Sequence, residues 1–287
     1  MRRVARVLVA AVAVVFGCAV YALVTTPDVR SLRTKNPETT AFIEIRSKTA
    51  RARGEKPRRV QRWVSYSRIS PQLVRAVLVT EDSAFWQHDG LDYQQIKESM
   101  EVNLERGEFA RGASTITQQL AKNLYLSPSK NPLRKLRELL IARRLESELT
   151  KGRILELYLN VIEWGNGIYG AEAAARAYFG KPASQLDAGE SALLAAAIAN
   201  PRVMNPGDPT ARLRRRQQMV LRRMGAVEPP VIATAPSTAL PDGDAPASEG
   251  APLPMLPPSV GLPPSLPGQV VLPPKVTGKP GGGPPRR

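Results

Sequence analysis

Cysteine and histidine are nearly missing from this chain: Cys18 and His88 stand alone in 287 residues. Their scarcity excludes a disulfide framework and any metal site built from clustered Cys and His side chains, and a single thiol says nothing about redox compartment. Strand signals are nearly absent as well, which leaves helices to carry the fold. What the chain has in excess is positive charge, 41 Lys and Arg against 25 Asp and Glu, for a formal net charge of +16. Such a balance suits a polyanionic partner, whether nucleic acid, an anionic membrane surface or a phosphorylated substrate. The length allows one or two domains, and an apolar content of 43% is ordinary for a globular core.

At the N-terminus Arg2, Arg3 and Arg6 precede an uncharged run from Val7 to Thr26. A run of about 20 residues spans roughly 30 Å of hydrocarbon. Basic residues ahead of it predict an uncleaved anchor with its N-terminus in the cytoplasm and the rest of the chain on the other side of the membrane. A cleaved signal peptide is the alternative, with Val20-Tyr21-Ala22 as its cleavage site, and it exports the same domain. Cys18 follows Val15-Phe16-Gly17, a weak likeness to a lipoprotein processing site in which Val15 replaces the usual leucine.

Composition divides the remainder. Residues 27–60 are polar and basic and read as a stalk, residues 61–226 carry helical periodicity and most large apolar residues, and residues 227–287 form a Pro/Gly-rich tail. The tail has too little apolar surface to offset its ordering entropy and is expected to be disordered, its Leu-Pro-Pro repeats compatible with polyproline II. Helix starts are legible at Ser70-Pro71 and Asn131-Pro132, where a capping side chain precedes a proline, and Asp187-x-x-Glu190 reads as a capping box. Leu133, Leu136, Leu140 and Leu145 fall near helical spacing, as do Ile96, Met100 and Leu104. Gly165, Gly167 and Gly170 break one helix from the next, and Ala192 to Ala199 reads as a buried helix. A mainly α domain follows.

Glu81 ends the apolar helical run that starts at Leu73. Apolar surroundings raise a carboxylate's pKa and suit it to general acid or base work near neutrality, although helix capping is the commoner duty of such a residue. His88 follows and can orient an acidic or phosphate group, or serve the fold. Glu138 lies four residues after Arg134 and three after Lys135, so all three share a helix face; a solvated ion pair is the plain reading. Lys122, Lys130, Arg134, Lys135 and Arg137 nevertheless crowd into one stretch, which suits a diphosphate leaving group. Ser114, Thr115, Thr117, Gln118 and Gln119 offer hydroxyls and amides of the kind that bind sugars, or a polar helix entrance.

These residues carry a resemblance over about residues 70 to 206. Glu81-Asp82-x-x-Phe85-x-x-His88-x-Gly90, the run from Gly112 to Asn123, Arg134-Lys135-x-x-Glu138, Ile154-Leu155-Glu156-x-Tyr158-Leu159-Asn160 with Gly165 and Gly170, and Ala192-Leu193-Leu194-Ala195 before Asn200-Pro201 occur in order. Together they resemble the membrane-bound peptidoglycan glycosyltransferases, specifically the monofunctional biosynthetic transglycosylases. The resemblance implies a lysozyme-like glycosyltransferase domain at the outer face of the plasma (inner) membrane that polymerises lipid II into β-1,4-linked glycan with release of the diphosphate carrier. It implies Glu81 as the base that deprotonates the acceptor's 4-hydroxyl, and Glu138 as a supporting catalytic residue. The positions matching Lys122, Arg134 and Lys135 are expected to hold the diphosphate, and His88, Ser114, Thr115, Gln118, Gln119, Asn123 and Lys130 join them as candidate substrate contacts, Lys130 standing where some relatives carry arginine. No cofactor is required by the residues themselves, and the resemblance leaves a divalent cation, Mg2+ or Mn2+, open.

Partners expected on this reading are lipid II, the nascent glycan and the membrane, with cell-wall synthesis or division proteins at the tail. A lytic, lysozyme-like enzyme would also use a glutamate but needs no diphosphate-binding cations. Ser127-x-x-Lys130 matches the first motif of penicillin-sensitive transpeptidases by accident, because no Lys-Thr-Gly follows and the chain beyond Ala226 is short and rich in proline. Nucleic acid is not an expected partner of an exported domain, so Arg212 to Arg216 reads as a solvated or membrane-facing surface.

Overall fold

A computed structural model describes residues 24–106, 113–129 and 131–226, with scattered positions from 4 to 21. Among the described residues no helix is long and apolar enough to cross a membrane. Nine of the 20 positions of the anchor expected over 7–26 lie outside them, and the described positions from Val4 to Val24 are helical. Lys130 and the tail at 227–287 also lie outside the described residues.

Most of the long helices begin where a side chain can take up a free N–H, the one that follows Gly170 being an exception. In order they are α1 (Ala41–Ala52), α2 (Pro71–Glu81), α3 (Tyr93–Arg106), α4 (Ile116–Tyr125), α5 (Pro132–Glu148), α6 (Lys151–Val161), α7 (Ala171–Phe179), α8 (Ala188–Ala197) and α9 (Ala211–Ala226). Ser70 accepts from the Gln72 N–H at the start of α2, and Asn131 accepts from the Leu133 N–H at the start of α5. Asp187 and Glu190 close the capping box at α8. All three starts are those expected from sequence, and each cap contributes about 1 kcal/mol. Helix α8 is buried from Ser191 to Ala197 and packs against α2 and α9, while α4 packs between α5 and α6. The stripe on α3 does not join this core: Met100 is 67% exposed and Leu104 85%.

Residues 27–60 do not stand apart as a stalk. Val29, Leu32 and Ile43 are buried, and α1 lies against α4. Few apolar residues are needed because arginines satisfy the polar backbone. Arg153 donates to the carbonyl oxygens of Leu32 (2.9 Å) and Lys35 (3.0 Å) and to Asn36 Oδ1 (2.8 Å), and Arg33 pairs with Glu148 at 2.6 Å. Side-chain forks of this kind leave no hydrophobic signature in a sequence, which is why the segment reads as solvent-exposed.

A small sheet also escaped the sequence. Strand β1 (Val60–Gln61) pairs in parallel with β3 (Ile168–Tyr169), which pairs antiparallel with β2 (Glu163–Gly165). Strands of two or three residues are too short to show alternation. The glycines taken as helix breaks serve this hairpin: Gly170 has φ +84°, and a Cβ there would sit 2.8 Å from the Asn160 carbonyl oxygen. Asn160 itself pairs with Val64 like a strand residue, its Oδ1 accepting from the Val64 N–H (3.0 Å) and its Nδ2 donating to the Val64 carbonyl (2.9 Å). The chain entering α2 is thereby fixed to α6.

Candidate active site

Helix α2 buries Leu73, Val74 and Ala76 to Val79, then ends on Glu81, so the last residue of an apolar helix delivers a carboxylate to the edge of the core. Burial pushes the Glu81 pKa above its ordinary value of 4.5; the Gln119 hydrogen bond and the cations Arg216 and Lys122 oppose that rise, while Asp82 adds to it. Gln119 Nε2 donates to Glu81 Oε2 at 2.8 Å, and the hydroxyl of fully buried Tyr158 donates to Gln119 Oε1 at 3.0 Å. The carboxylate therefore has one fixed amide donor and one remaining oxygen.

Asp82, one residue on, is almost completely buried. It accepts from the Ile116 N–H at 2.9 Å, a carboxylate at the N-terminus of α4 where the helix dipole favours it, and lies 3.0 Å from His88 Nε2. His88 Nδ1 accepts from the Gly90 N–H at 3.1 Å. With Nδ1 accepting, Nε2 carries the proton toward Asp82, and no ring nitrogen is left for a ligand. His88 thus holds the 82–90 turn in place of the substrate contact expected of it. Thr115 caps α4 by accepting from the Gln118 N–H and donates to the Gly90 carbonyl at 2.8 Å, and Gln118 Nε2 reaches the same carbonyl at 3.4 Å. Both are fully buried, so they too brace the turn.

On α5, Glu138 is 3% exposed and holds two cations, Arg134 Nη1 and Lys135 Nζ, each at 2.5 Å. Lys135 also reaches Gln118 Oε1 (3.0 Å) and Ser114 Oγ (3.4 Å), which ties α5 to the start of α4. Lys122 is half-buried on α4, its ammonium 5.9 Å from the Phe42 ring centroid. Burial lowers its pKa; Arg134 and Lys135 push the same way, and Glu138 and Glu81 oppose. Glu81 and the Lys122–Arg134–Lys135–Glu138 group are thereby brought together. Asn123 is buried and its Nδ2 donates to the Gln119 carbonyl, a contact within α4.

Five participants were missed or misread in the sequence. Asp82 was part of the quoted motif without a role. Tyr158 reaches Gln119 from α6 only through tertiary packing. Arg216 was read with a solvated surface; it is half-buried, donates from Nε to the Ala196 carbonyl at 3.2 Å and acts electrostatically on Glu81. Lys151 bonds the His88 carbonyl and Glu146, and Glu146 accepts from Thr117 Oγ1 at 2.6 Å. This last network joins α4, α5 and α6 beneath the turn and has no local signal beyond its charges.

A carboxylate of raised basicity beside a cluster of held cations can take a proton from an alcohol while an anionic group departs, the two demands of glycosyl transfer from a phosphate ester. The transglycosylase family model matches residues 47–225. The chain is 48% identical over 196 residues to a biosynthetic peptidoglycan transglycosylase of Laribacter hongkongensis, covering 68% of this chain and 86% of the relative. It is 45% identical over 195 residues to one of Nitrosospira multiformis (68% and 85%), and 46% identical over 200 residues to one of Chromobacterium violaceum (69% and 87%). A family model matched over residues 47–225, with relatives 45–48% identical of which the chain covers more than four-fifths, shows that this chain belongs to the transglycosylase family.

Proposed function

We propose that the protein is a peptidoglycan glycosyltransferase of cell-wall biosynthesis in which Glu81 is the catalytic base and lipid II the substrate. The observation that supports it most directly is the seating of Glu81, whose burial raises its basicity, with Lys122 acting on it and standing in turn within the field of Glu138 and the two cations, Arg134 and Lys135, that Glu138 holds. The acceptor's sugar 4-hydroxyl gives its proton to the free oxygen of Glu81 as its oxygen attacks the anomeric carbon of the lipid-linked chain. The bond from that carbon to the diphosphate oxygen breaks, the diphosphate leaves with the electron pair, and inversion turns the α-linked donor into a β-1,4-linked product. Lys122, Arg134 and Lys135 meet the charge on the departing diphosphate. Burial depresses the Lys122 pKa in the free site, and an arriving anion opposes that effect.

Among the described residues no group of three or more His, Cys, Asp and Glu side chains could hold a metal ion. Glu138 and Asp82 already face protein donors, so the steps above rest on the chain's own cations. A lytic reaction is disfavoured, since hydrolysis of a glycan expels no anionic group for these cations to meet. The anchor over 7–26, an outward-facing catalytic domain and a docking role for 227–287 belong to the same proposal. The exposed Tyr93, Met100 and Leu104 on α3 support a seat at the bilayer surface. Labelled lipid II and detergent-solubilised protein test the reaction. Muramidase-sensitive polymer from wild type and none from Glu81→Gln is the expected result; undiminished turnover in Glu81→Gln overturns the role of the base.

A further inference from the structure

The proposed base is gripped by a side chain that is itself gripped. Gln119 can present either end of its amide to Glu81, and the two ends have opposite consequences: the N–H stabilises a carboxylate, whereas the carbonyl oxygen repels it. The local turn of α4 does not choose between them. The choice comes from across the core, where the Tyr158 hydroxyl donates to Gln119 Oε1 at 3.0 Å and leaves Nε2 to donate to Glu81 Oε2 at 2.8 Å.

We infer that Tyr158 is a positioning residue for the transfer reaction, its hydroxyl locking the Gln119 amide in the orientation that keeps Glu81 ionised and aimed. The inference rests on the reading of Glu81 as the base. Tyr158 is completely buried, within the run Ile154 to Val161 that forms the core face of α6. Gln119 Oε1 is the acceptor of its hydroxyl, so rotating the amide would strand a buried phenol proton and turn an oxygen toward Glu81 at once. The phenol stays protonated over any working pH, since burial raises its pKa well above 10.0, with Glu81 and Asp82 adding to the rise. Its ring packs the core, but that task needs no hydroxyl; the hydroxyl's use is the amide.

The charged groups facing Glu81 are Lys122 from α4, Arg216 from α9 and Asp82 from its own turn, and none of them touches the Tyr158 hydroxyl. Removing that hydroxyl therefore changes Glu81 through Gln119. The Gln119 bond lowers the Glu81 pKa, so loosening it raises that pKa and moves the acidic limb of the rate profile to higher pH.

Tyr158→Phe keeps the ring and deletes the hydroxyl. Lipid II turnover is measured for wild type, Tyr158→Phe, Gln119→Leu and the double variant, with pH profiles and melting temperatures. The expected result is a roughly tenfold fall in kcat for Tyr158→Phe with KM nearly unchanged, as suits the loss of about one hydrogen bond at the base. Its acidic limb moves upward, and in the Gln119→Leu background the same change adds nothing, because the two residues act as one unit. A purely structural Tyr158 would give the same fractional loss in both backgrounds, and that outcome overturns the inference, as does wild-type kcat in Tyr158→Phe. Should Tyr158→Phe fail to fold, Gln119→Leu alone carries the test: an acidic limb left in the wild-type position sinks the relay. A wild type that forms no polymer would instead remove the transferase reading itself.

Discussion

Glu81 combines two properties that pull against each other. Burial raises its folded-state pKa above 4.5, so its contribution to stability is complete below the unfolded-state value and is lost as pH rises through the folded one. At pH 7 the ionised carboxylate therefore costs stability that a neutral amide of the same shape does not. Glu81→Gln is expected to lose activity by at least ~10²-fold yet melt at the same or a higher temperature than wild type at pH 7, the difference shrinking as pH falls. Calorimetry across pH checks this, and a lower melting temperature at pH 7 would contradict it. Glu138 makes the opposite case, since it holds Arg134 and Lys135 rather than reacting. Glu138→Gln should raise KM and lower kcat together and cost about 1–3 kcal/mol, which steady-state kinetics and denaturant titration would reveal. At this scale the catalytic roles proposed for Glu81 and Glu138 came from the motif resemblance, since capping and a solvated ion pair are the commoner readings of the residues alone; the apolar run ending on Glu81 and the i, i+4 pairing of Glu138 were legible. The duties of His88, Thr115 and Gln118 were not. A side chain that braces a turn and one that binds a ligand are the same letters in a sequence, and only the occupied ring nitrogens and the buried hydroxyl distinguish them.

Among elements, α9 is the one whose part changed most. Four of its first residues are arginines, and a basic run is usually solvated, but Arg216 turns toward α8 and the end of α2. Its charge lowers the Glu81 pKa. Arg216→Gln should shift the acidic limb of the kcat/KM profile to higher pH and leave the alkaline side in place, and a profile without any shift would remove α9 from the site. The caps of α2, α5 and α8 were readable because capping is a local rule over three residues. The strands around Gly165 were not, because a parallel pairing of Val60 with Ile168 joins residues that no local window contains. Nor did the spacing of Ile96, Met100 and Leu104 reveal which side of α3 meets protein: periodicity gives a face its composition and says nothing of what covers it.

For the whole molecule, the proposed topology makes a direct prediction. A phosphatase reporter fused after residue 226, active only outside the cytoplasm, should be active in cells, and the protein should resist alkaline extraction from membranes; an inactive reporter would reverse the orientation. The tail, lying outside the described residues, is not asked to contribute to catalysis. Composition separated the helical domain from the proline-rich end but placed the domain's beginning too late, because the contacts that fold residues 27–60 onto it are made by arginine forks rather than by greasy side chains.

That early beginning decides how the enzyme can move. On the proposed topology the anchor ends near Thr26 and is followed at once by buried Val29, by Leu32, whose carbonyl accepts from Arg153 at the start of α6, and by Arg33, which pairs with Glu148 at the end of α5. A leash would let the catalytic face swing and search; a bolt sets its height and roll above the bilayer. On the proposed topology the sugar of a membrane-borne donor hangs at one depth, so an enzyme bolted in this way would meet it without searching and release the finished strand along one bearing. A short Gly-Ser insert between Thr26 and Pro27 should slow polymerisation in vesicles while sparing it in detergent, where depth has no meaning.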